Sequence, residues 1–145
     1  MNDSLLAQIE REVLGWPGVS KETGGGGRGR NGFWVPPATV YRFGRRHLGH
    51  AHHNEDGLAD FSFPKEVREE LIRSGRAIPH PAFPESRTDA SYQVRSTEDV
   101  PGVVELFKIN YERAVARDAR HAARTSAAAT QKEETWPKKR QERPS

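Results

Sequence analysis

Cysteine is absent from the chain. That single absence removes disulfides, thiolate metal ligands and a cysteine nucleophile, and leaves His, Asp, Glu, Ser, Tyr or a cofactor to carry any chemistry. Long apolar runs are missing too, since none approaches the roughly 20 residues of a membrane span. The opening Met1-Asn2-Asp3-Ser4 leads to acidic Glu10 and Glu12 rather than to a basic and then apolar leader. These absences predict a soluble, cytoplasmic protein with no membrane partner. Hydrophobic residues make up only 34% of 145, enough for one modest core and not for two. An excess of positive charge is missing where a folded nucleic-acid reader would need it. Met1 to Val115 holds 15 Lys and Arg against 16 Asp and Glu, a balance of −1, whereas Ala116 to Ser145 holds 8 against 4, a balance of +4. Arg28, Arg30, Arg42, Arg45 and Arg46 lie among aromatics, yet the near-neutral domain argues against nucleic acid as a partner.

What is present reads as one α+β domain over residues 1–120 and a tail over 121–145. Ser4 is the expected cap of a first helix whose Leu5, Leu6, Ile9, Val13 and Leu14 share one side, ending at Gly15. The glycine-rich stretch 23–32 reads as a mobile hairpin connection. It lacks the Gly-Lys-Ser/Thr ending of a phosphate loop. Segments at 39–43, 47–52 and 57–63, rich in β-formers and separated by turn residues, predict an antiparallel meander. Pro64 opens a short helix carrying Val67, Leu71 and Ile72, and Gly75 closes it. Pro79, Pro81 and Pro84 argue against regular structure from Ile78 to Glu85, and Ala90, Tyr92 and Val94 alternate as a last strand. Thr97 starts a final helix on which Val100, Val103, Val104, Phe107, Tyr111 and Ala114 recur at three and four residues. The order of elements predicts an antiparallel meander sheet with helices packed mainly on one face. Beyond about Arg120 the apolar period fades, and composition predicts a disordered basic C-terminal tail.

Five of the six histidines fall between His47 and His80, four of them within 47–53. Strand alternation puts Leu48, His50 and His52 on one face, with His47 and Ala51 on the other. If a hairpin pairs His52 with Leu58, then His50 pairs with Asp60, and one face holds two imidazoles and a carboxylate while Ala59, Phe61 and Phe63 face the core. His80, between Pro79 and Pro81, can fold back over that face. His50, His52, Asp60 and His80 are therefore the candidate catalytic residues. His50, His52 and His80 are candidate ligands for iron or zinc; a metal-free face of hydrogen-bonded histidines would read the same. His47 and His53 are expected at the surface.

Arg46 to His52, Asp60-Phe61-Ser62-Phe63-Pro64, Val67 to Leu71, Gly75 to His80, and Leu106 to Arg113 together resemble the luciferase-domain family. That family groups small bacterial proteins with the catalytic domain of fungal luciferases. The resemblance spans Leu5 to Arg113 and is strongest at His50-Ala51-His52 and Pro79-His80-Pro81. For the fungal members the family implies oxygenation of a hydroxylated styrylpyrone by O₂. His50, His52 and His80 fall on histidines of the fungal pattern, and Asp60 matches the bacterial form. Where many bacterial relatives carry Gly-Trp before the last strand, this chain has Arg87-Thr88-Asp89. The resemblance implies a small-molecule substrate and O₂ as co-substrate. In that chemistry His50 or His52 would be a base, Asp60 would orient it and balance its charge, and His80 would bond a substrate oxygen or complete a metal site. A non-catalytic small-molecule or metal-binding module of the same fold is the alternative.

Overall fold

Leu5, Ile9 and Val13, one helical turn apart, form the buried stripe of helix α1 (Asp3–Val13). The computed structural model describes residues 1–29, 32 and 34–141, with side chains as far as Gln131. The expected cap, Ser4, lies inside the helix. Asn2 caps it instead, its side-chain oxygen accepting from the Leu5 amide at 2.8 Å, as a short polar side chain two residues earlier does equally well.

Strands follow as β1 (Val19–Gly24), β2 (Gly27–Arg28), β3 (Trp34–Val35), β4 (Ala38–Phe43), β5 (Arg46–His52) and β6 (Leu58–Ser62). Helix α2 (Lys65–Arg73), edge strand β7 (Ile78–Pro79), strand β8 (Asp89–Gln93), a 3₁₀ turn over Thr97–Asp99 and helix α3 (Val100–Gln141) complete the chain. The main sheet is antiparallel, in the order β1-β4-β5-β6-β8-β7, and β2 pairs with β3 in a separate ribbon.

Three differences from the sequence reading have local causes. Strand β1 went unread because Ser20, Lys21, Glu22 and Thr23 carry no apolar alternation, and as an edge strand it is held by main-chain pairing with β4. The glycine-rich stretch 23–32 ends β1 and opens the connection of that hairpin, contributing β2 to the ribbon whose other strand, β3, lies just beyond it; Arg30, Asn31 and Phe33 lie outside the described residues. Ile78 and Pro79 form a strand despite the prolines because β7 is at the sheet edge, where a residue without an amide proton is tolerated.

One face of the sheet carries the core. Phe107 of α3 is fully buried, its ring centroid 5.2 Å from Tyr41 on β4 and 4.7 Å from Phe61 on β6. The Tyr41 hydroxyl donates to Glu10 of α1 at 3.0 Å, so α1 and the first turns of α3 cover this face. Gly49 lets the layers close, since a Cβ there would lie 2.7 Å from Phe61 and 2.8 Å from Phe107. Helix α2 ends on Gly75 at φ 76°, where the amides of Gly75 and Arg76 reach back to Ile72 and Leu71 in the pairing that closes helices on a left-handed residue.

The chain divides into a unit from Met1 to Glu112 and a second from Arg113 to Ser145. In the second, the backbone is helical to Gln141, and residues 142–145 of the tail expected over 121–145 lie outside the described residues. Alanine-rich sequence favours helix by propensity alone. The expected lack of a core holds: every described side chain from Val115 to Gln131 is exposed. Deleting residues 122–145 is therefore expected to shift the melting temperature by no more than about two degrees, because segments without buried contacts contribute little; thermal denaturation followed by circular dichroism checks this.

Candidate functional site

The sheet face opposite the core carries a row that runs straight across four strands and ends on a fifth. Val40 pairs with His50, His50 with Asp60, Asp60 with Ser91, and Ser91 with Ile78. Residues directly opposite in adjacent antiparallel strands bring their side chains together on one face. The hairpin register expected from the sequence, His50 against Asp60, is the one observed.

The row centres on the Asp60 carboxylate. Its Oδ2 lies 2.7 Å from His52 Nε2, 3.2 Å from His50 Nε2 and 3.3 Å from His80 Nε2, and its Oδ1 accepts from the Ser91 hydroxyl at 2.5 Å. His50, His52, Asp60 and His80 thus converge as expected. The side chain of Asp60 is only 6% exposed, whereas those of His50 and His80 are 28% and 18% exposed. The carboxylate is therefore buried beneath imidazoles that remain reachable from solvent.

Burial by itself would raise the Asp60 pKa. Hydrogen bonds from His50, His52 and Ser91, with the charge of His50, overcome that and hold the carboxyl well below the usual range. His80 accepts the Ala82 amide at Nδ1, 3.1 Å away, so in the neutral ring the proton sits on Nε2, facing Asp60. His52 Nδ1 is buried without a hydrogen-bond partner among the described residues.

Two members of this assembly escaped the sequence reading. His47, expected to face away, has Nε2 3.3 Å from His50 Nδ1. The cause is a β-bulge: Tyr41 pairs with Gly49 and Arg42 with His47, so Leu48 is the extra residue. Leu48 and Gly49 are both buried, which breaks the alternation and brings His47 round to the face of His50. The expectation that Leu48 shares the histidine face is corrected by the same bulge, and Leu48 belongs to the core. Asn110 of α3 donates to the Leu48 carbonyl at 2.9 Å and to that of Ser62 at 3.1 Å, satisfying backbone that the irregular pairing leaves open. His47 is pushed down to about 4, first by loss of solvation and then by the neighbouring charges of His50 and Arg42.

Ser91 is the second missed residue. A serine between Ala90 and Tyr92 carries no signal until β8 is known to pair with β6. His53 stands apart from the cluster, its Nε2 2.7 Å from the Thr39 hydroxyl.

The arrangement can take up a proton at an imidazole backed by a carboxylate, donate N–H groups to an anionic oxygen, or gather nitrogen and oxygen ligands around a cation. His50, His52 and Asp60 each offer a ligand atom within 4.8 Å of the others. The group within that reach contains Asp60 in place of His80, which differs from the all-histidine set expected from the sequence. Among the described residues no helix is long and apolar enough to cross a membrane.

No curated protein and no solved structure gives a significant match to the chain. Residues 45–110, a little under half of the chain, match the family model described as Luciferase domain. That stretch holds His47, His50, His52, Asp60, His80, Ser91 and Asn110, and over it the chain is similar to the luciferase-domain family.

Proposed function

We propose that the protein is a luciferase-like oxygenase that reacts an enolisable, hydroxylated pyrone or aromatic small molecule with O₂ at the His–Asp centre. The observation that carries this reading is the convergence of three imidazoles on one buried carboxylate at an otherwise reachable face. A phenol or enol gives electrons to O₂ far more readily as its anion, so the first task of such a site is to remove a proton and hold the anion that remains. An imidazole of the cluster takes the proton, and the Asp60 charge balances the imidazolium. His80, whose proton is fixed on Nε2 by the Ala82 amide, is a ready donor to the anionic oxygen.

The second reading, a non-catalytic module that binds a small molecule on the same fold, rests on the same open imidazoles. Oxygen-electrode measurements on purified protein with a panel of hydroxylated pyrones and enolisable phenols separate the two. Protein-dependent O₂ uptake with conversion of one panel member is the expected result. Saturable binding across the panel with no O₂ uptake would overturn the oxygenase reading and leave the module.

A further inference from the structure

We propose that His50, His52 and Asp60 form a binding site for one divalent first-row transition cation, held by Nε2 of the two imidazoles and Oδ2 of the carboxylate. The inference shares its residues with the proposed function, and rests on that reading only for the use to which the cation is put.

The first argument is a count of lone pairs. Oδ2 of Asp60 has two, yet three imidazole nitrogens lie within 3.3 Å of it. Three imidazole nitrogens gather at one oxygen that can accept from two of them. A cation shared by His50, His52 and Oδ2 takes one lone pair in place of two of those contacts and leaves the other for His80.

The second argument is reach. Ligands bound to one ion at about 2.1 Å cannot lie more than about 4.2 Å apart, and here the two imidazole nitrogens stand 3.2 Å and 2.7 Å from the carboxylate oxygen. Two imidazoles and one carboxylate are the donor types that first-row divalent ions prefer over magnesium or calcium.

The third argument is the outer layer. Ser91 engages Oδ1 at 2.5 Å and so leaves Oδ2 to face the imidazoles, and His47 Nε2 engages the far nitrogen of His50 at 3.3 Å. Ligating groups are commonly oriented by such second contacts. The same logic takes His80 out of the ligand set. Its Nδ1 accepts the Ala82 amide, so its Nε2 bears a proton and has no lone pair to offer, and His80 stands beside the cation as a donor.

Untagged full-length protein, stripped with chelator and titrated with Co²⁺, provides the test. One equivalent is expected to bind with the absorption bands of a nitrogen- and oxygen-ligated ion. His50→Ala, His52→Ala and Asp60→Asn should weaken binding by more than about 100-fold, whereas Ser91→Ala and His80→Ala, which remove only outer contacts of the carboxylate, weaken it by about tenfold. Should a ligand variant fail to fold, ¹⁵N spectra of the wild-type rings with Zn²⁺ serve instead: His50 and His52 shift at Nε2, whereas His53, His80 and His121 do not. Absence of stoichiometric binding, binding indifferent to Asp60→Asn, or equal loss in His80→Ala would overturn the proposal. Cation binding without O₂ uptake leaves the site standing and removes the oxygenase reading; O₂ uptake by stripped protein keeps that reading and removes only the cation's part in it.

Discussion

Phe107→Ala is expected to destabilise the domain by about 3–5 kcal/mol, enough to leave much of a marginally stable fold denatured at physiological temperature. The ring is fully buried and meets Tyr41 edge-on at 5.2 Å and Phe61 at 4.7 Å. It also lies over Gly49, where the backbone of β5 comes close. Truncation removes the burial of the side chain and opens a cavity between α3 and the strands that carry the site. Tyr41, which borders it, is itself fixed by its hydrogen bond to Glu10 and cannot collapse freely into the space. Chemical denaturation of the variant and the parent, compared at equal slope, measures the effect; equal midpoints would show that α3 does not pack in this way.

Asp60→Asn is expected to lower turnover by about 10²–10⁴-fold while costing about 1–3 kcal/mol of stability. The amide keeps the shape of the carboxyl group, yet it has one acceptor oxygen and carries no charge to balance an imidazolium. It also turns donor hydrogens toward imidazole N–H groups. Steady-state kinetics on the substrate identified by O₂ uptake reads the first effect and thermal unfolding the second. The acid limb of stability adds a further check. A carboxyl whose folded pKa is depressed contributes fully above the pKa of the unfolded chain, and the contribution is lost as pH falls below that value toward the folded one. The parent should therefore lose stability over this acid range by more than the Asn variant does. Identical acid limbs would remove Asp60 from the account of the cluster's electrostatics.

The sequence was informative wherever side-chain period and chain connectivity coincide. The apolar stripe of α1, the meander from 38 to 62, the Pro64-to-Gly75 helix and the Val103–Phe107 stripe all follow from local pattern. The pairing of His50 with Asp60 follows from a tight hairpin. Legibility stops where pairing is non-local or irregular. Ser91 meets Asp60 only because β8 returns across 31 residues to lie beside β6, and nothing in Ala90-Ser91-Tyr92 announces that partner. Unbroken alternation through Leu48-Gly49 puts His47 on the face away from His50, and the bulge reverses this. A bulge is a single inserted residue, stabilised here from α3 by Asn110, and its position is set by tertiary contacts rather than by the strand's own residues. β1 shows the remaining limit, since an edge strand of Ser, Lys, Glu and Thr is written in backbone hydrogen bonds.

The shortness of β7 has a consequence for the time scale on which the centre is complete. His50, His52, Asp60 and Ser91 sit on interior strands, so exposing them requires the sheet itself to open at a cost approaching that of global unfolding. His80 is anchored by an edge strand of two pairs, Ile78 with Ser91 and Pro79 with Ala90, followed by a loop whose residues are nearly all exposed. An edge with so few pairs frays at a small fraction of the global free energy. The fourth member of the cluster can therefore leave and return many times within the lifetime of the folded sheet, and hydrogen exchange at the Ala82 amide, which His80 Nδ1 accepts, would run far ahead of exchange within β5 and β6.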